Sequence, residues 1–343
     1  MMQAFRLFGT QDVRLVEVDT PRPGSGEVLI KVAAAGMCGS DVHAVEAADR
    51  FGYPLPHTLG HEIVGWVEAL GPAVSGWAVG DAVAVFPLVS CERCPNCLDG
   101  RANLCRTRFP SSLGAGRDGG MANYVVAPAS GLVAIGDLDP VAAAPLTDAG
   151  MTSYNVVANV RDRLVEGSRC VVIGIGGLGH VAVQIIRAIT PARVIAVDTD
   201  AARLSYARQL GAWETVEAGA DAKARIAALC EGIGAEVAID MVGSRETVDL
   251  ACGVVATGGK LALVGIADGA VEVRLGGALP PQVEVFVPLA GSRHDLEAVI
   301  ALARAGKVAA KTTTFPLDAA EEVLHRLRSG TIIGRAVLTP HSV

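Results

Sequence analysis

The chain has 343 residues, of which 51% are apolar and 19% charged, and its formal net charge is −7; at about 150 residues per domain, this implies about two domains with well-filled cores. The acidic balance, with no clustered basic stretch, argues against nucleic acid or an anionic membrane as a partner. No apolar run reaches the ~18 residues of a membrane span and Met1–Phe8 lacks the apolar core of a secretory signal, so a soluble, cytoplasmic protein is expected.

From Ala4 to about Val133 short strands alternate with turns. Glu27–Ala33, Ile63–Leu70 and Ala82–Phe86 are predicted strands, and Pro21, Pro23, Gly24 and Gly26 mark an early loop. From about Tyr154 the texture changes to alternating strand and helix. Cys170–Ile173 reads as a buried strand, Leu178–Ile189 as a helix, Arg193–Val197 as the next strand and Ala201–Leu210 as a helix stopped by Gly211. Glu236–Asp240, Thr247–Val255 and Lys260–Gly265 continue the series, Val271–Leu275 and Val283–Val287 read as apolar strands, and helices are predicted over His294–Ala305 and Ala319–Arg328. Such alternation calls for a parallel sheet covered on both faces, so the expected class is α/β.

The eight cysteines fall into separate groups. Cys170, Cys230 and Cys252 lie in apolar segments and read as small core residues. Cys91-x2-Cys94-x2-Cys97-x7-Cys105 places four thiolates within fifteen residues, with Pro95, Asn96 and Gly100 permitting tight turns. That set closes a tetrahedron around zinc and leaves no open position, so its role should be structural. The first three share ferredoxin-like spacing, but the x7 gap and the lack of a following proline favour zinc over an iron–sulfur cluster. A reducing compartment disfavours disulfides. Cys38 stands alone in Gly36-Met37-Cys38-Gly39-Ser40-Asp41-Val42-His43, and Gly60-His61-Glu62 offers an imidazole and a carboxylate. Taken singly these are unconvincing, because a lone histidine is more often surface or satisfied core.

Gly174-Ile175-Gly176-Gly177-Leu178-Gly179 fits the G-x-G-x-x-G spacing between a predicted strand and a predicted helix, and Asp198 ends the next strand nineteen positions after Gly179. Missing side chains let the backbone approach a pyrophosphate at the positive end of a helix dipole. Asp198 can accept bonds from the adenosine ribose hydroxyls and repels a 2′-phosphate, which favours NAD over NADP. Arg203 softens that exclusion unless it is simply a solvated helix residue. The bland alternative is a glycine-rich turn with no ligand.

Gly60-His61-Glu62-x2-Gly65-x5-Gly71-x2-Val74 resembles the zinc motif of the medium-chain, zinc-containing alcohol dehydrogenase family, and the four-cysteine lobe and the glycine-rich turn follow in that family's order. The resemblance implies a Rossmann doubly wound sheet plus a GroES-like β-rich catalytic domain. The catalytic domain would comprise 1–150 and 290–343, with a structural zinc lobe at about 91–105, and the NAD domain 151–289. It implies two zinc ions per chain. The catalytic one takes Cys38, His61 and Asp148, with Glu62 as a fourth candidate that replaces water; read alone, Asp148 is a helix cap. Ser40 is implied to take the substrate proton and pass it through the cofactor ribose towards His43 and solvent, although His43 reads equally as a pocket wall or cofactor contact. Arg335, in Gly334-Arg335-Ala336-Val337-Leu338, is implied to hold the cofactor pyrophosphate; the bland reading is a strand-edge arginine.

The stretch Ile135–Gly150 is most similar to bacterial NAD-dependent secondary-alcohol dehydrogenases. That implies medium-sized aliphatic or aryl alcohols and their ketones, with Tyr53, Leu88, Leu113 and Leu289 as expected pocket walls. Polyol and threonine dehydrogenases share the same motifs but need polar groups for their substrates. A non-catalytic NAD- or zinc-binding module is the reading from another class, and intact Cys38, Ser40, His61, Asp148 and Asp198 argue against it. Zinc-free quinone reductases should lack the four-cysteine lobe. Sheet-edge pairing into a homodimer or homotetramer is expected, with Val271–Leu275 and Val283–Val287 as the edges.

Overall fold

The computed structural model describes residues 1–107 and 112–341. By its contacts the chain divides into two units, Met1–Met151 with Ser292–Ala305 and Ala310–Val343, and Thr152–Gly291 with Gly306–Ala309. Gly306–Ala309 groups with the second unit. The reason is local: Gln184 donates to the Ala309 carbonyl at 2.9 Å and accepts from the Ala309 N–H at 3.0 Å.

In the first unit the strand Glu27–Met37 is the centre of a sheet that has seven strands among the described residues. It pairs antiparallel with Glu62–Leu70, Tyr124–Pro128 and Arg335–Thr339. Val28, Ile30 and Val32 are fully buried, and they pack with Phe5, Leu7, Ile63, Met121 and Leu338 in the core. β-branched residues suit such a pleated, enclosed surface. The strand runs past Ala33, its predicted end, because Ala35 and Gly36 are paired on both sides, and Ala34 on one, despite their low strand preference. It stops where Cys38 caps the helix Gly39–Glu46.

The second unit holds a parallel sheet of six strands among the described residues, in the spatial order Glu214–Glu217, Arg193–Asp198, Arg169–Ile173, Ala235–Asp240, Val255–Leu263, Glu284–Phe286. Numbered along the chain that order is 3-2-1-4-5-6, the doubly wound arrangement whose ligand crevice lies at the carboxyl ends of the first strands. Every residue of Arg169–Ile173 is buried, as a central parallel strand requires. Val271–Leu275 departs from expectation and forms no strand, with Val273 and Leu275 strongly exposed. The edge beside Val255–Leu263 is taken instead by Glu284–Phe286. Among the described residues no helix is long and apolar enough to cross a membrane.

Candidate functional site

Three stretches of the first unit deliver one cluster. Cys38 stands at the turn from the central strand into Gly39–Glu46, His61 immediately precedes the neighbouring strand that Glu62 opens, and Asp148 follows the turn Ala144–Thr147 ahead of the helix Ala149–Val160. One ligand atom from each of Cys38, His61, Glu62 and Asp148 lies within 4.8 Å of the others. The Cys38 Sγ to Asp148 Oδ2 distance is 3.4 Å and that from His61 Nε2 to the same oxygen is 3.5 Å. Zinc bonds of about 2.0–2.3 Å put tetrahedral neighbours about 3.3–3.8 Å apart, so these spacings suit the ion.

Charge gives the same answer. The carboxylates of Asp41, Glu62 and Asp148 and the Cys38 thiol crowd a space whose permanent cation is Arg335. Arg335 is buried, meets Glu62 Oε1 in an ion pair and stands 3.6 Å from Asp148 Oδ2. Glu62 is fully buried and its Oε2 has no hydrogen-bond partner. Buried negative charge in this excess is costly unless a cation compensates it. Burial opposes charge on His61, but Asp41, Asp148 and Cys38 outweigh it and hold the imidazole pKa well above its ordinary value. Burial and Asp148 push the Cys38 thiol up, while Arg335 and His61 bring it below the usual cysteine range. The residues present therefore fit a divalent metal.

Asp41 escaped the sequence reading. Its Oδ2 accepts from the Cys38 N–H at 2.8 Å, and its Oδ1 faces His61 Nδ1 at 3.6 Å, so one carboxylate braces two ligands. The signal was present as an acid at the third position after a helix cap, next to a histidine that needs an outer partner. Ser40 is exposed, with Oγ 3.6 Å from Cys38 Sγ, and His43 lies half-buried on the same helix. Arg335, expected on a pyrophosphate, pairs with Glu62 and stands beside Asp148.

The expected pocket walls have different surroundings within their own units. Tyr53 is half-buried and meets His57 edge-on at 5.6 Å. Leu88 lines a cavity of about 600 Å³ with Cys91, Glu92 and Arg117, and none of the four clustered ligands lines it. Leu113 is 1% exposed within the core. Leu289 is partly exposed in the second unit.

Cys91, Cys94, Cys97 and Cys105 bring their sulfurs within 4.8 Å of one another. Glu92 and Gly100 take the left-handed backbone needed for the turns, at φ 57° and 75°. Asn96 Nδ2 closes the loop on the Leu104 carbonyl at 2.6 Å. The Cys94 N–H donates to Cys91 Sγ and the Cys91 N–H to Cys105 Sγ, both at 3.4 Å. The Thr107 hydroxyl leads the groups that draw the Cys91 pKa down to about 5, whereas burial and the Cys94 thiol raise Cys97 to about 11. Four sulfurs this close ionise together only around a cation, and they leave it no open position. Cys170, Cys230 and Cys252 are buried, as core residues should be.

In the second unit the glycine-rich turn separates its own demands from those of a ligand. Gly174 has φ +88°, and a Cβ there would strike Val242. A Cβ on Gly179 would strike the Gly174 carbonyl. At Gly176 an added Cβ meets nothing within 4 Å. The protein itself does not require glycine at that position, which fits a backbone left bare for a phosphate. Gly177 and Leu178 complete the turn, and the Leu178 carbonyl accepts from Ser153 Oγ at 3.2 Å. Asp198 Oδ2 accepts from the Ile175 N–H at 2.7 Å and Oδ1 from the Asp200 N–H at 3.0 Å, with Arg203 3.8 Å from Oδ1. Asp198 therefore braces the turn, a duty its spacing did not disclose. Asp240 was also missed: fully buried, it accepts from the Val242 and Gly243 N–H groups and from Thr247 Oγ1, fixing the segment against Gly174.

The chain resembles known proteins over most of its length. The alcohol dehydrogenase GroES-like domain family matches residues 24–137 and the zinc-binding dehydrogenase family residues 177–305. An NAD-dependent alcohol dehydrogenase of Sulfurisphaera tokodaii is 35% identical, aligned over 99% of this chain and 100% of its own. The crystal structure of the alcohol dehydrogenase from the archaeon Aeropyrum pernix superposes with a TM-score of 0.92 at 34% identity, covering 98% of this chain and 100% of that one. Acetophenone reductase from Geotrichum candidum, solved in complex with NAD, gives a TM-score of 0.88 at 29% identity over 98% of this chain and 97% of its own. The chain belongs to the zinc-containing medium-chain alcohol dehydrogenase family.

Proposed function

We propose that this protein oxidises alcohols to carbonyl compounds with NAD, secondary alcohols foremost, and reduces ketones in the reverse direction. The observation that carries the reading is the convergence of Cys38, His61, Glu62 and Asp148 within 4.8 Å. Cys38, His61 and Asp148 would hold the catalytic zinc, while Arg335 engages Glu62. When bound, zinc supplies Lewis acidity towards an alcohol oxygen and NAD accepts hydride.

The chain's own residues do the rest. Asp41 fixes the His61 ring from behind, so that Nε2 is the nitrogen presented. Arg335 offsets Glu62 and Asp148. Ser40 takes the proton from the substrate hydroxyl, and His43, one helical turn on, hands it to solvent. The four-thiolate lobe is structural. In the second unit Gly174, Gly176, Gly177, Leu178 and Gly179 form the pyrophosphate cradle. Asp198 disfavours a 2′-phosphate, and Arg203 tempers its charge.

Apolar exposure at Val273, Leu275 and Val287, near the edge strand Glu284–Phe286, supports assembly into a homodimer or homotetramer. Eight free cysteines support a cytoplasmic location. Initial rates of NADH formation with matched secondary alcohols, primary alcohols, polyols and L-threonine test the substrate class. Preference for secondary alcohols is expected. Faster turnover of polyols or threonine would replace it with the polyol or threonine reading.

A further inference from the structure

Gly36 lies in the central strand with Glu62 opposite it on one side and Val337 on the other. Arg335 is two residues before Val337 and shares its face of the sheet. The ion pair between Glu62 and Arg335 therefore passes across the bare Cα of Gly36. A Cβ built on Gly36 would fall on Glu62 Oε2, and would lie 2.7 Å from Cδ and 2.8 Å from Cβ of the same residue. Gly36 does not have the positive φ that demands glycine. Glycine weakens a strand interior unless something needs its space, and the occupant of that space is the Glu62 carboxylate.

We infer that Gly36 is a positioning residue for Glu62: its bare Cα is the niche that keeps the carboxylate beside Arg335 and off the metal held by Cys38, His61 and Asp148. The inference rests on the metal-site reading above. Oε1 already meets Arg335, and Oε2 lies over Gly36 without a hydrogen-bond partner. A side chain at position 36 closes the niche and displaces the carboxylate, one oxygen of which already lies within 4.8 Å of the Cys38, His61 and Asp148 ligand atoms, towards the metal. Glu62 then occupies the position the substrate oxygen needs.

The test is a double-mutant cycle on cobalt-substituted enzyme, using wild type, Gly36→Ala, Glu62→Ala and the double variant. Visible d–d bands report the ligands of the catalytic ion, while bands of the four-thiolate lobe are common to all forms and cancel in differences. Gly36→Ala should shift the d–d bands towards an added oxygen ligand and lower kcat about 10–100-fold. On the Glu62→Ala background it should change neither. Melting temperature falls in both backgrounds, because Cβ of residue 62 stays 2.8 Å from the new methyl group, so stability alone cannot mimic the result. An equal spectral shift in both backgrounds, or none in either, overturns the inference. Should Gly36→Ala not fold, Gly36→Ala/Glu62→Gly decides: folded, two-metal protein supports the niche, and failure of both rejects it. Cobalt confined to the lobe in wild type would instead overturn the metal-site reading, and the inference with it.

Discussion

Asp41→Ala removes two supports at once. The lost bond to the Cys38 N–H, 2.8 Å long, caps the helix Gly39–Glu46, and such caps contribute about 1 kcal/mol. The lost carboxylate at 3.6 Å stands behind His61 Nδ1, and removing the outer partner of a metal-bound histidine costs about 10–100-fold in metal affinity. Tenfold corresponds to about 1.4 kcal/mol, so the metal effect equals or exceeds the cap effect. The assay is equilibrium dialysis against graded chelator, with zinc counted per chain and melting followed in parallel. One zinc should leave Asp41→Ala at about 10–100-fold lower chelator concentration than wild type while the lobe keeps its own. Asp41→Asn, which keeps a cap acceptor without the charge, should fall between. Unchanged zinc retention with only the loss of stability expected from a cap would refute the bracing role.

Gly176→Ala should melt like wild type and bind NAD at least tenfold more weakly by fluorescence titration, since its Cβ meets no protein atom; Gly179→Ala should lose stability because its Cβ meets the Gly174 carbonyl. Ser40→Ala should keep both zinc ions and lose about 100-fold in kcat, and unchanged turnover would reject the proton transfer. For metal-depleted protein the Cys91 pKa of about 5 lies below the usual cysteine value of 9.0, so its thiolate contributes stability fully above about pH 9. That contribution is lost as pH falls towards 5, and melting across this range, compared with Cys91→Ser, should show the slope only when Cys91 is present. Cys97→Ser should remove the lobe zinc and lower the melting temperature, with the catalytic zinc retained by metal analysis.

Patterns that act locally were legible in the sequence. The parallel sheet followed from the alternation of buried strands and helices between Cys170 and Gly265, and the lobe followed from four cysteines at fixed spacing. The strand Glu214–Glu217 was not legible, because two of its four residues are glutamates and only pairing with Arg193–Asp198 selects that state. Val271–Leu275 failed for the opposite reason: its apolar pattern suited a strand, but the edge place went to Glu284–Phe286. Outer contacts were the hardest to see. Arg335 gains meaning only when the fold brings it beside Glu62, and no spacing rule connects residues so distant along the chain, whereas Asp41, close to His61 in sequence, left only its capping signal.

The measurement that reaches the central claim most directly is NADH formation from a secondary alcohol while zinc is removed from and returned to the Cys38–His61–Asp148 cluster. Activity should vanish with the loss of one zinc per chain and return when zinc is restored, with NAD binding intact throughout. Turnover that persists after that zinc has gone, or zinc-loaded, NAD-binding protein that oxidises no alcohol, would contradict the account.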